Sequence, residues 1–396
     1  MVYVTDVEVA RPRFGKVTVM RTNNRKFRLG HAAVALALSG ALTLTACGSN
    51  SSGGDEPDAA SGGSGGPTVG VILPETATSA RWESFDKPML QQALRAEGFD
   101  ADVQNAQGDV QKFTTLADGM IAKGVKVLII AAINSEVGGA VAAKAKKAGI
   151  PTIDYDRLNL GGSSDYYVSF DNVKVGELQG RAIADALKTK PGAEVVEIEG
   201  APTDNNATLF HQGQQNVLKP LYDNGTLKLV RSQAIDGWDN QKGGTTFEQI
   251  LTGNGGKVDG VVAANDGLAG AVITVLKKNG LNGKVPVTGQ DATAEGLKAV
   301  LRGDQYMTVF KPILGEAQTA AKLAAALAKG DKAAADALAV DVSQDPKGKR
   351  EVKSVLLQPQ TVTRADVKVV VDAGFVEAVD ICGGDLAAAC TELGIS

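Results

Sequence analysis

Ile150-Pro151-Thr152-Ile153-Asp154-Tyr155-Asp156-Arg157 is a short apolar, β-branched run that breaks into an acid and a base at its C-terminal end. In an open parallel α/β sheet, ligands bind just outside the carboxyl ends of the strands, so Asp156-Arg157 stands where a ligand would be held. Similar endings recur. Val258 to Ala264 runs into Asn265-Asp266, Val285 to Thr288 into Gly289-Gln290-Asp291, Glu194 to Glu199 into Gly200 to Asn206, and Met307 to Phe310 into Lys311. One Asp-Arg pair alone is ordinarily a surface ion pair. Five apolar runs delivering polar groups at the same end predict one site built from many strands.

From Pro67 onward such runs alternate with amphipathic stretches, the βαβ signature of a parallel sheet. Thr68 to Leu73 predicts a strand. Trp82, Phe85, Met89, Leu90, Ala93 and Leu94 then recur at helical spacing up to a stop at Gly98, with Pro88 as a local conflict expected to kink that helix. Strands near Ala101 to Gln104 and Val125 to Ala131 enclose a helix over Val110 to Lys123, and a helix from Ser135 to Ala148 leads into the opening stretch. After Tyr166 to Phe170 the cycle restarts, with helices near 173–188, 205–219, 240–253, 265–279 and 292–302. A chain of 396 residues exceeds one ordinary core. Two doubly wound, Rossmann-like α/β lobes of similar plan are expected.

The N-terminus reads as a targeting signal. Arg21, Arg25, Lys26 and Arg28 precede an apolar stretch, Ala32 to Ala46, which is shorter than the ~20 residues a spanning helix takes. Leu44-Thr45-Ala46-Cys47 is similar to a bacterial lipoprotein signal, which implies lipidation of Cys47, removal of residues 1–46 and anchoring to the outer face of the cell membrane. Residues before Met20 add nothing to such a signal, which makes Met20 an alternative start. Residues 47–66 are rich in Ser, Gly and Asp and predict a tether. As a Gly/Ser-rich coil it would reach roughly 24 Å. Removing residues 1–46 takes away seven basic and two acidic residues and shifts the net charge from -4 to -9. That balance leaves no basic patch for nucleic acid, and makes the lipid the expected attachment to the membrane. With His31 and His211 as its two histidines, the chain is not expected to build a histidine-based metal site or a catalytic relay.

Seven short runs carry a family likeness. Ser79-Ala80-Arg81-Trp82, Asp154-Tyr155-Asp156-Arg157, Ser169 to Gly176, Asp204-Asn205-Asn206-Ala207, Asp236-Gly237-Trp238, Gly289-Gln290-Asp291 and Phe310-Lys311-Pro312 resemble the D-xylose-binding branch of the ribose-type periplasmic sugar-binding proteins, which serve ATP-driven importers. The likeness covers about residues 67–378 and stops before the tail from Asp380 to Ser396. It implies the periplasmic binding protein type I fold, in which three crossovers join two lobes that close on ligand by a hinge. Crossovers near Asn172, Lys311 and Ser354 would assign 67–172 plus 312–354 to the N-terminal lobe and 173–311 plus 355–396 to the C-terminal lobe. The resemblance further implies a monomer that carries a monosaccharide to a membrane permease, without cofactor or metal.

A sugar offers hydroxyls that both donate and accept, together with an apolar ring face. Carboxylates accept, Arg and Lys donate, and Asn does both. On that basis Arg81, Asp156 and Arg157 would bind hydroxyls from one lobe, with Asp204, Asn206, Asn265, Asp291 and Lys311 closing from the other. Trp82 and Trp238 would stack on the ring. Trp82 also lies on an apolar helical stripe and so suits core packing, while Trp238, among Gly, Asp and Asn, suits exposure in a cleft. Asp204 and Asn205 equally suit helix caps, and Asp266 a first-turn position.

Other classes fit less well. A glycosidase needs two carboxylates, one a proton donor, about 5 to 9.5 Å apart. Asp156 and Asp291 are conceivable, yet Arg81, Arg157 and Lys311 beside them oppose the protonated form. A repressor with this core would need a basic helix-turn-helix where the signal and tether stand. A nucleotide enzyme would need a phosphate loop, and no G-x-x-x-x-G-K-[ST] occurs. A broader glucose or galactose binder is the alternative within the binding class, because the stretch from Pro74 to Trp82 also resembles multiple-sugar-binding relatives. In the tail, Cys382 and Cys390 flank Gly383-Gly384-Asp385, and an exported chain predicts a disulfide between them.

Overall fold

The computed structural model describes residues 66–76, 79 and 81–395. The signal, Cys47 and the tether up to residue 65 lie outside the described residues. In chain order the strands are β1 Thr68–Leu73, β2 Asp100–Asn105, β3 Val127–Ile130, β4 Thr152–Tyr155, β5 Tyr166–Phe170, β6 Ala193–Glu199, β7 Leu227–Ala234, β8 Gly260–Ala263, β9 Thr308–Phe310, β10 Asp341–Asp345, β11 Arg350–Leu357 and β12 Gln360–Val362.

The first sheet has the order β10-β11-β5-β4-β3-β1-β2 and is parallel except for the edge strand β10. All four residues of β3 and of β4 are buried, as expected of strands covered on both faces by crossover helices. The second sheet joins β7, β6 and β8 in parallel, and β9 pairs antiparallel with β12. Between β8 and β9 lies the apolar run Val285 to Thr288, expected as a strand that leads into Gly289-Gln290-Asp291. It makes one isolated bridge, Val261 to Val287. Pro286 brings no N–H to the ladder, so the contact continues only through single bonds such as Asp291 N to the Val309 carbonyl at 2.9 Å.

The chain leaves the first sheet after Phe170, returns through the helix Ile313–Ala328, which packs on β3, β5 and the helix Lys87–Ala96, and leaves again after β11. The last exit, expected near Ser354, comes at the end of β11. Residues Ser354 to Leu357 continue in register with Tyr167 to Phe170, so the passage lies at 358–359. Pro88 does not kink a helix either. Trp82–Asp86 form a π-helical turn, and an α-helix begins at Lys87 with Pro88 in its first turn, where a missing N–H costs nothing.

In the second lobe the helices Asn172–Leu187 and Asn205–Asp223 approach closely because they meet at glycines. A Cβ on Gly176 would fall 1.9 Å from the Phe210 carbonyl oxygen, and one on Gly213 1.9 Å from that of Val173. The tail folds into two short helices, Ala378–Ile381 and Ala387–Glu392, joined by a disulfide between Cys382 and Cys390. Ile381, Leu386 and Cys390 enter a cluster with Leu297, Val300 and Phe375 of the second lobe, and Phe375 stacks on Phe85 of the first with ring centroids 4.2 Å apart.

Candidate functional site

All ten residues expected to meet a ligand line one tight cavity between the lobes. Ser79, Phe210 and Gln290 line it as well. Ser79 and Gln290 sit inside quoted motifs, whereas Phe210, within a helical apolar pattern, carried no signal.

Strand ends place the first-lobe groups. β4 stops at Tyr155, and Asp156 turns into left-handed conformation, φ 60°. Its strained peptide is held by three donors on one carbonyl oxygen: Tyr167 Oη at 2.9 Å, Ser169 Oγ at 2.8 Å and Asn206 Nδ2 at 2.9 Å. Trp238 (φ 57°) and Asp291 (φ 98°) are left-handed too. Such conformations persist where the surroundings over-determine them, which is typical of ligand sites.

Arg81 is buried at the centre of a charge network. Its guanidinium donates to Asp156 at 2.6 Å, to both oxygens of Asp86 at 2.9 and 2.7 Å, and to Glu316 at 3.0 Å. Tyr155 Oη also donates to Asp86, at 2.8 Å. Burial alone would lower the Arg81 pKa, but Asp156 and Asp86 raise it far above its ordinary value. Burial likewise works to raise Asp156; Arg81 first, then Lys311 and Arg157, overcome it and hold the carboxylate below its usual range. Glu316 goes the other way, with burial pushing it well up against the pull of Arg81. Asp86, Tyr155 and Glu316 were not anticipated. Glu316 comes from 235 residues away in the chain, and nothing local marks it as a partner of Arg81.

The second lobe reaches across. Asn206 donates to Asp156 Oδ1 at 3.1 Å. Lys311 Nζ lies 3.2 Å from Asp291 Oδ1 and 3.8 Å from Asp156 Oδ2. Asp204 caps a helix and lines the cavity: Oδ1 accepts from Asn206 N at 2.9 Å, while Oδ2 accepts from Trp238 Nε1 at 3.1 Å and lies 3.0 Å from Arg157 Nε. Asn265 similarly caps the helix Asp266–Lys278 through Leu268 N at 2.9 Å. Asp266 is structural, accepting from Gln305, Thr308 and Thr293.

Both tryptophans are buried. Trp82 is 1% exposed and belongs to the first-lobe core, yet it also lines the cavity, with the Arg81 and Arg157 guanidinium carbons 4.5 and 5.1 Å from its ring centroid. Both are cation–π distances. Trp238 is 8% exposed rather than open in the cleft. Its ring lies on Gly200, where a Cβ would come within 2.1 Å, and meets Phe210 edge-on at 6.4 Å.

Several buried polar atoms at this cavity lack a hydrogen-bond partner. Trp82 Nε1 is a donor, Gln290 Oε1 an acceptor, and Ser79 Oγ can be either. Arg157 Nε and Asp291 Oδ1 have ion-pair neighbours but no aligned hydrogen bond. Each unmade buried bond costs about 1–3 kcal/mol. The arrangement suits a compact ligand carrying donors and acceptors together.

A family model described as a periplasmic binding protein domain matches residues 69–332. The chain is 39% identical over 296 residues to a D-xylose-binding periplasmic protein of Escherichia coli, covering 74% of this chain and 87% of that one. It is 36% identical over 326 residues to a multiple sugar-binding periplasmic protein of Azospirillum brasilense, covering 78% and 89%. Among solved structures, an ABC transporter solute-binding protein from Clostridium phytofermentans with bound β-D-glucose superposes with TM-score 0.72 at 31% identity, covering 79% of this chain and 99% of that one.

Proposed function

This chain belongs to the periplasmic binding proteins and is a sugar-binding protein of the ABC-importer type, not an enzyme; we propose that its sugar is D-xylose. The carrying observation is the set of unpartnered donors and acceptors around one small cavity, braced by Arg81, Asp156, Lys311 and Asp291. Hydroxyls match that mixture, since each donates and accepts. Hydrogen bonds to charged groups contribute about 1.5–3 kcal/mol each, so a sugar that leaves one unmade is discriminated against. The preference for xylose rests on the likeness to the Escherichia coli protein; the glucose-bound structure supports a second reading, a broader aldose site.

We assign ligand contacts to Arg81, Trp82, Asp156, Arg157, Asp204, Asn206, Trp238, Asn265, Asp291 and Lys311, to which the cavity adds Ser79 and Gln290. The lobes are residues 67–172 plus 312–357 and 173–311 plus 358–396. The mature chain is a monomer, tethered by lipid on Cys47, that hands sugar to a membrane permease. Calorimetric titration with D-xylose, D-ribose, D-glucose and D-galactose tests the reading. Tightest binding of xylose is expected. Tighter binding of glucose or galactose would replace it with the broader aldose site, and no heat from any aldose would refute both.

A further inference from the structure

β6 carries two glutamates, Glu197 and Glu199, whose side chains project to the same face because strand residues alternate. Both are buried, and the helix Asn205–Asp223 sets His211 against them. One potential ligand atom from each of the three lies within 4.8 Å of the others. His211 Nδ1 is 3.5 Å from Glu199 Oε1 and 3.9 Å from Glu197 Oε2. Zinc bonds of about 2.0–2.1 Å in a tetrahedron set ligand atoms about 3.3 Å apart. The two His211 separations exceed that by a few tenths of an ångström.

The cluster's own bonding is incomplete. Glu197 Oε1 accepts from Gln215 Nε2 at 3.0 Å and Tyr222 Oη at 2.9 Å. Glu197 Oε2, fully buried, has no hydrogen-bond partner, and neither has His211 Nδ1. Glu199 faces Gln214, whose amide nitrogen reaches Oε1 at 2.6 Å if the amide is turned. Among the described residues, the ion-pair contacts of both glutamates are with His211, and no Lys or Arg joins them. Two buried carboxylates thus share one partly exposed imidazole as counter-charge, and a buried carboxylate is held by pairing or by a metal. A surface pocket of about 330 Å³, lined in part by Glu199, Thr208, His211 and Ser232, opens beside them and gives an ion a way in.

We propose that Glu197, Glu199 and His211 form a divalent-metal site of the zinc class, with water from the adjoining pocket as fourth ligand. Two carboxylates with one imidazole suit zinc better than calcium or magnesium, which favour all-oxygen sites. One histidine is enough, because β6 supplies the other ligands. This revises the expectation drawn from histidine count. Bound metal would fasten β6 to a helix whose first turn holds Asn206 of the sugar cavity, making it a structural staple.

Zinc titration by calorimetry on metal-stripped protein tests the proposal, with magnesium and calcium as comparison ions. Wild type should bind one zinc ion saturably and melt at a higher temperature with it. His211→Gln and Glu199→Gln should each weaken binding at least tenfold. His211 is partly exposed, with 42% of its side chain accessible, so His211→Gln tests the site even if a glutamate variant does not fold. No saturable zinc binding to wild type would overturn the proposal. Equal affinity in His211→Gln would also overturn it and put the ion elsewhere. Calcium binding tighter than zinc would overturn the assigned class.

Discussion

Asp291 offers a test in which charge, shape and backbone strain separate. Its Oδ1 stands 3.2 Å from Lys311 Nζ and is buried without an aligned hydrogen bond, and its backbone sits at φ 98°. Asn tolerates positive φ better than most residues, so Asp291→Asn removes the charge and changes little else. A bond to a charged acceptor contributes about 1.5–3 kcal/mol and a neutral one about 0.5–1.5. The expected loss is then about 1–1.5 kcal/mol, or about 5- to 13-fold in Kd. Asp291→Ala removes the acceptor outright and leaves Lys311 with Asp156, at 3.8 Å, as its remaining ion-pair neighbour. That should cost about 2–4 kcal/mol, or about 30- to 1,000-fold. Ala at this φ also strains the backbone by about 1–2 kcal/mol, which lowers the melting temperature rather than the affinity. Calorimetric titration with xylose, run beside thermal unfolding of each variant, distinguishes the two. An unchanged Kd in a folded Asp291→Ala protein would refute the placement of Asp291 at the sugar.

Four further outcomes are expected. Cys47→Ser should release the protein from membranes; a variant still processed and membrane-bound would exclude the lipid anchor. Sugar should change tryptophan emission, and Trp238→Phe should remove most of that change; retention of the response would move it to Trp82, between its two guanidinium groups. Reducing the disulfide, whose cysteines are 8 positions apart, should cost about 2–3 kcal/mol of stability on the chain-entropy model and leave xylose affinity unchanged, while two alkylatable tail thiols in oxidised protein would show that the bridge does not form. Burial raises the Asp266 carboxyl to about 7 in the folded protein, against about 3.9 unfolded, so its contribution is complete below about pH 4 and is lost as pH rises through about 7. The melting temperature should fall less over that window in Asp266→Asn than in wild type, and parallel curves would discount the residue.

Periodicity alone made the alternation of strands and helices legible, because a buried parallel strand and an amphipathic helix write different repeats into the chain. The polar groups at the carboxyl ends of the strands gather as the pattern suggested: Asp156, Arg157, Asp204, Asn206, Asn265, Asp291 and Lys311 all line one cavity. Local chemistry misled where a residue answers to neighbours distant in sequence. Trp238, set among turn residues, suits exposure, yet it is buried because Gly200 and Phe210 receive its ring. The end of β11 at Leu357, three residues past Ser354, is set by its pairing with Tyr167 to Phe170. Glu316 became a partner of Arg81 only when the helix Ile313–Ala328 returned to the first sheet. Hydrophobic pattern is a property of a segment and survives without the rest of the chain. The partner of a buried charge, and the carbonyl that three donors must hold in a left-handed turn, exist only once strands far apart in sequence lie side by side.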